Sequence, residues 1–221
     1  MADLRKPVLG LPDGKIGNIV YRTVKGKTVI SVRPEKYNQS FSPAAVAGRN
    51  KFKSYSKFAS FVNKIYPIIP FWMNADFPGS TSYRKILMAN KDRVSGEFLS
   101  PNNLIAPFTI WNPVKSAALT DNTLNITLSD DVFSPGSSGY HLHLVLALIK
   151  PLSPDKAFLR FFSLNNQVES SIFALSFPLE NYITSNFPDY GELIVYSCFT
   201  FNQDGQSKWF AHKGSSFPLN T

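Results

Sequence analysis

Hydrophobic and polar positions along this chain follow three successive regimes, and each predicts a different kind of element. In "GKIGNIVYRTVKGKTVISVRP", residues 14–34, two β-branched or apolar runs, Ile16 to Tyr21 and Thr28 to Val32, flank the tripeptide "KGK". Gly26 supplies the positive φ that a tight turn needs, so the pattern predicts a β-hairpin. Ser42 and Pro43 then open a helix as N-cap and first helical residue. At about 100° per residue, Phe52, Tyr55, Phe58, Ala59, Val62, Ile65 and Tyr66 share one face of it, while Arg49, Lys53, Lys57 and Lys64 share the other. Lys51 falls on the apolar side. Pro67 and Pro70 are expected to end this helix by removing amide donors. A second, shorter helix is predicted from a cap in the Ser80 to Ser82 region, with Tyr83, Ile86, Leu87 and Asn90 on one side and Gly96 closing it.

From "SPNNLIAP" onward the period becomes alternating and polar turn clusters arrive at intervals suited to a sandwich. Seven strands are predicted: near 107–112, 123–128, 140–149, 157–164, 171–177, 192–201 and 207–213. In "YHLHLVLALIK" the side chains of Leu142, Leu144, Leu146 and Leu148 all point one way, as a core strand requires. Asp204 and Gly205 suit the turn of a final hairpin. The expected fold is therefore mostly β with a small α part. Residues 1–100 form a basic hairpin and two-helix module, and residues 101–221 form a seven-stranded immunoglobulin- or fibronectin-like β-sandwich. The aromatic helix face is expected to pack on the sandwich or on a second copy.

Composition supports a packed, β-rich interior: 221 residues, 43% hydrophobic, with 19 Phe against 3 Met. The single cysteine, Cys198, has no partner for an intramolecular disulfide, which fits a reducing compartment. Pro7, Gly10, Pro12 and Gly14 interrupt the N-terminal stretch, so no signal peptide is expected, and the apolar run 142–149 is too short to span a bilayer as a helix. The expectation is a cytoplasmic or virion protein without a membrane partner.

Charge changes the picture more. Residues 1–64 hold 13 Lys and Arg against 3 acids, a net +10, whereas the remaining 157 hold 10 against 12. A local positive field of this size attracts phosphate backbones, anionic surfaces or acidic proteins. Arg22, Lys25, Lys27, Arg33, Arg49, Lys53, Lys57 and Lys64 are the candidate binding residues, set against the ordinary alternative of a solvated helix face.

Catalytic constellations are weak. His141 and His143 are two apart on a strand and share a face, but two ligands do not make a metal site, and His212 is the only other histidine. They are expected on the solvent face. No G-x-S-x-G elbow occurs, Cys198 fits a core thiol within "LIVYSCFTF", and "GLPDGKIG" lacks the spacing of a phosphate-cradling loop. No catalytic residue, metal or cofactor is assigned.

The order of "GKIGNIVYRTVKGKTVISVRP", "SPAAVAGRNKF", "SYRKILMANKD" and "FTFNQDGQSKW" resembles an uncharacterised family of about 200 residues from Bacteroidota, across nearly the whole length. Its pattern of Gly-Lys-x-Gly, a Lys-Gly turn and a helical Arg-x-x-Phe is matched by Gly14, Lys15, Gly17, Lys25, Gly26, Arg49 and Phe52. Val24 stands where many relatives carry Trp. The first 60 residues also resemble the opening of some phage virion-associated proteins, which implies an assembly role and brings no catalytic residues. The expected function is a non-enzymatic structural or interaction protein, a phage, mobile-element or multi-subunit assembly component, docking partners or further copies through its basic N-terminal module. A sequence-nonspecific nucleic-acid-binding protein is the first alternative. A carbohydrate-binding sandwich is the next, for which an aromatic cleft around Trp72, Trp111 or Trp209 would be the sign.

Overall fold

The computed structural model describes residues 2–4, 14–16, 19–24, 27–32, 40–107, 112–133, 136–170, 172–211 and 213–219. The chain divides into two compact units, Met1–Ser42 and Pro43–Thr221. The division therefore falls at the start of the first helix, not near residue 100, where the change of period had placed it. The reason lies in tertiary packing: the helices share a core with the β body, as described below.

The first unit is a four-stranded antiparallel sheet of β1 (Ala2–Leu4), β2 (Gly14–Ile16), β3 (Ile19–Val24) and β4 (Lys27–Val32), in the order β1-β4-β3-β2. β3 and β4 form the expected hairpin, with Ile19 opposite Val32 and Val24 opposite Lys27. Its first strand starts later than expected, because Ile16 belongs to β2, which turns back on β3 and pairs with Ile19. The turn residues Lys25 and Gly26 lie outside the described residues. Alternation across the hairpin puts Ile19, Tyr21, Thr28, Ile30 and Val32 on one face, and Val20, Arg22, Val29 and Ser31 on the other. Ile19 and Val32 are 39% and 73% exposed.

The second unit opens with α1 (Pro43–Val62), α2 (Ile69–Asn74) and α3 (Ser82–Asn90). The Thr81 side chain caps α3 by accepting from the Arg84 amide. α2 corrects the expectation that Pro67 and Pro70 merely stop α1. Each proline occupies the first turn of its own element, Pro67 in the 3-10 turn Tyr66–Ile68 and Pro70 in α2, where no amide donor is needed.

Eight strands follow among the described residues: β5 (Val114–Thr120), β6 (Thr123–Leu128), β7 (Ser137–Pro151), β8 (Arg160–Gln167), β9 (Ala174–Pro178), β10 (Tyr190–Gln203), β11 (Gln206–Ala211) and β12 (Ser215–Pro218), with the single-turn helix α4 (Asn181–Thr184) between β9 and β10. β5 and β12 are additional to the expected strands. The strand expected near 107–112 falls mostly outside the described residues. All pairings are antiparallel, in a three-stranded sheet β5-β6-β9 and a five-stranded sheet β11-β10-β7-β8 in which β12 also pairs with β10.

The five-stranded sheet is covered on both faces. Leu142, Leu144, Leu146 and Leu148 of β7, with Leu193, Val195, Phe199 and Phe201 of β10, pack against Leu124, Ile126 and Leu128 of β6 and Phe177 of β9. The alternate residues, Val145, Ala147 and Ile149 of β7 and Ile194, Tyr196 and Cys198 of β10, pack against Phe58, Ala59, Val62, Trp72 and Ile86 of the helices. Burial on both faces is why "LVLALI", residues 144–149, is an unbroken apolar run. The protein is thus mostly β, and its second unit has two antiparallel sheets packed face to face with helices over one of them. No helix among the described residues is long and apolar enough to cross a membrane.

Candidate functional site

α1 holds four basic residues and no acid. Its inner side is fixed firmly. Phe58 lies 5.2 Å from the Tyr196 ring and 6.1 Å from that of Phe161, and Phe61 stacks on Phe161 at 5.0 Å. Ser54, buried in the same stripe, donates its hydroxyl to the carbonyls of Asn50 and Glu97, while the Asn50 amide donates to the Glu97 carboxylate at 2.5 Å. These contacts set the helix's rotation about its axis. The outer side, roughly 140° away by helical spacing, is then presented without choice.

Of the eight expected binding residues, four belong to this surface. Lys53, Lys57 and Lys64 are exposed, and Arg49 is half-buried. None of the ion pairs among the described residues involves Lys53, Lys57 or Lys64; those pairs join Lys91–Asp92, Lys115–Asp130, Lys150–Glu192 and Lys156–Asp189. The Lys53 ammonium sits 4.8 Å from the centre of the Phe158 ring, itself stacked on Phe98, so a cation–π contact positions the charge while the residue stays exposed. Arg22, exposed on β3, belongs to the other unit. Lys25 and Arg33 lie outside the described residues, as does the side chain of Lys27. The apolar arc of α1 is narrower than its spacing predicts: Phe52 is 52% exposed, edge-on to Tyr55, and Tyr66 is 85% exposed just beyond the helix.

The other candidates resolve differently. His143 is not on a solvent face: the helical layer covers that side of β7, and His143 is buried with Nε2 3.0 Å from the Thr200 hydroxyl oxygen. Desolvation, with a lesser contribution from His141, lowers its pKa to about 4, so it is neutral at ordinary pH. The two rings lie 6.2 Å apart, nearly parallel. Among the described residues no group of three or more His, Cys, Asp or Glu gathers to hold a metal; His212 lies outside them. Cys198 is buried in the helix-side core, and burial raises its thiol pKa far above the usual range. Trp72 is a core residue whose Nε1 donates to the Ile105 carbonyl at 2.8 Å. Trp209 donates to Pro107 at 3.0 Å and has a face covered by Phe71 at 4.3 Å. Neither ring is presented as a wall of an open cleft; Trp111 lies outside the described residues.

A polar cavity of about 550 Å³ borders Asp92, Arg93, Lys150 and Glu192. Sequence reasoning missed it, since its walls come from stretches some fifty residues apart with no shared motif. Its charges are satisfied locally. Lys150, held at φ +58°, pairs with Glu192 at 2.6 Å, and Arg93 donates to the carbonyls of Ala89 and Asn102. The exposed lysines of α1, Lys53 and Lys57, take part in none of the ion pairs among the described residues. Comparison with protein-family models, with curated proteins and with solved structures finds no match in any of the three.

Proposed function

We propose that this is a non-enzymatic structural or interaction protein that docks an acidic partner through the outer side of α1, with the basic first unit as a further contact surface. The observation that carries this reading is the exposed row of Lys53 and Lys57 on α1 and Lys64 in the turn just after it, on a helix whose opposite side is locked into a core. A rigidly presented row of cations loses little conformational freedom on binding, and it steers anionic partners from a distance. The double-sheet body supplies the rigidity, and we read it as an immunoglobulin- or fibronectin-like sandwich with a helical layer added. A role in a phage or mobile-element assembly is the setting that the resemblance of the N-terminal stretch implies.

The test is fluorescence anisotropy of a labelled poly-glutamate peptide against the full chain and its K53E/K57E/K64E variant, with light scattering to report self-association. Saturable binding that the variant loses supports the reading. No binding, or equal binding by both proteins, together with a strictly monomeric chain, removes it.

Nucleic acid is the second reading, favoured by one feature. Arg49, Lys53 and Lys57 recur every four residues, steps of about 6 Å along the axis, close to the rise of successive phosphates in an extended strand. A labelled oligonucleotide bound with a steep salt dependence would favour it over an acidic protein, and a flat salt series would exclude it.

A further inference from the structure

A second site lies where the helical layer meets one end of the five-stranded sheet, away from the cations of α1. We propose that this cavity, of about 330 Å³, binds a neutral hydroxylated ligand, a saccharide ring.

Its sheet-side wall is built by irregular backbone. The pairing of β10 with β7 slips between Thr200 and Asn202: Gly139 and Tyr140 of β7 together stand opposite Phe201, so the extra residue lies in β7, and such bulges re-aim the side chains beside them. Opposite, Gly139 has φ +63°, and a Cβ there would stand 3.2 Å from the Asn202 side-chain nitrogen. A side chain there would be strained by the positive φ and would push that amide away by a few tenths of an ångström. Ser207 from β11 donates to the Asn202 side-chain oxygen at 3.2 Å, which leaves the amide nitrogen as a donor for a ligand.

His141 completes the polar edge. It lines the cavity and makes no hydrogen bond among the described residues, while His143 behind it is held by Thr200 and covers its ring on one side. The imidazole is therefore positioned but unspent. Facing it are carbon surfaces: the pyrrolidine rings of Pro67 and Pro70, and Phe71, whose ring is fixed against Trp209.

The chemistry of the ligand follows from this lining. No Lys, Arg, Asp or Glu borders the cavity, so an ionic ligand would find no permanently charged counter-group there. Imidazole, carboxamide and hydroxyl groups offer donors and acceptors along one edge, and proline and phenylalanine offer C–H surface along the other. A sugar ring presents that same division, hydroxyls at its rim and C–H groups on its face. The volume lies at the lower end of the roughly 300–1,000 Å³ range of ligand pockets, which limits the occupant to a small unit.

The experiment is an NMR titration of the full-length chain with the methyl glycosides of glucose, galactose, mannose and N-acetylglucosamine. It follows the imidazole C–H signals of His141, assigned with His141→Gln, with sodium sulfate as the anionic control. The expected result is a saturable shift of the His141 signals with at least one glycoside, none with sulfate at constant pH, and binding weakened about tenfold in Ser207→Ala, whose exposed hydroxyl is not needed for folding. The proposal is overturned if no glycoside moves His141 at concentrations on the order of tens of millimolar. It is equally overturned if sulfate moves it as far, or if Ser207→Ala binds as the wild type does.

Discussion

The two faces of the five-stranded sheet are both buried, but by different physics. On the side facing β6 and β9 the core is almost wholly aliphatic and aromatic, from Leu124 and Leu146 to Phe177 and Phe199, with the small hydroxyl side chain of Ser197 buried opposite Leu144. Two sheets satisfy their own backbones, so the space between them asks only for apolar volume. On the helix side the sheet is covered by short helices and by the connection 91–107, whose carbonyls and amides have no ladder to join. Here the core carries polar atoms that meet those groups: Trp72 donates to Ile105, Tyr196 to Ser100, and Asn90 ties α3 to the connection. Irregular backbone can be buried when side chains replace the missing ladder, and the cost is that each such side chain has few acceptable substitutes.

Asn90 should be the most sensitive position on that side. Fully buried, it donates to the carbonyls of Ile86 and Leu104 and accepts from the Leu104 amide at 2.7 Å and the Asn103 side chain at 3.0 Å. Asn90→Leu keeps the bulk but strands a buried amide and carbonyl, an expected loss of about 4 kcal/mol in urea unfolding. A change below about 1 kcal/mol would mean that the connection finds other partners, and the contrast between the faces would break.

Leu146→Ala measures the opposite face. It removes volume from a site with no polar atom to rescue, and the expected loss is about 3 kcal/mol, with the m-value unchanged. A xenon- or benzene-binding cavity in the variant would confirm that this layer does not collapse to fill the gap.

The same contrast decides what was legible in the sequence. β6 stands at the expected 123–128, and its buried residues alternate cleanly, because sheet-on-sheet packing leaves a period of two. α3 was visible through its cap and Ile86. α2 was not, since Pro67 and Pro70 carry the same local signal whether they end one helix or start another. β5, "VKSAALT", is small-sided and only half-buried, so it has little hydrophobic contrast to detect. Which of the lysines on α1 face outward followed from helical spacing alone; that the Lys53 ammonium lies over the Phe158 ring did not, because about a hundred residues separate them. The cavity proposed to take a saccharide was hidden for the same reason: 67–71, 139–141 and 200–207 converge only in three dimensions.

His143 offers a titration of the helix-side face. Its folded pKa of about 4 lies below the usual 6.5, so the unfolded chain binds the proton more readily. Stability from this group is fully present above about pH 6.5 and is lost as pH falls toward 4, roughly 2 kcal/mol by pH 5. His143→Gln keeps a hydrogen-bonding group near Thr200 without the titration, so its unfolding free energy should fall less than that of the wild type between pH 7 and 5. Parallel profiles for the two proteins would show that His143 does not sense the burial assigned to it.

The smallest expected effect is the cleanest test of how the helix-side face is held. Tyr196 is buried, and its hydroxyl donates to the Ser100 carbonyl at 2.8 Å; burial also raises its pKa well above the usual tyrosine value. Tyr196→Phe leaves the ring against Phe58 and removes only that bond, an expected loss of about 1 kcal/mol. The sharper quantity is its coupling to Asn90, because Ser100 and Asn90 belong to one network: the Ser100 amide donates to Asn103, which in turn donates to Asn90. If the connection 91–107 is fastened as a unit, Asn90→Leu already loosens it, and Tyr196→Phe should cost almost nothing in that background. Additive losses would mean instead that each hydrogen bond fastens its own stretch of backbone, so that the connection is pinned point by point.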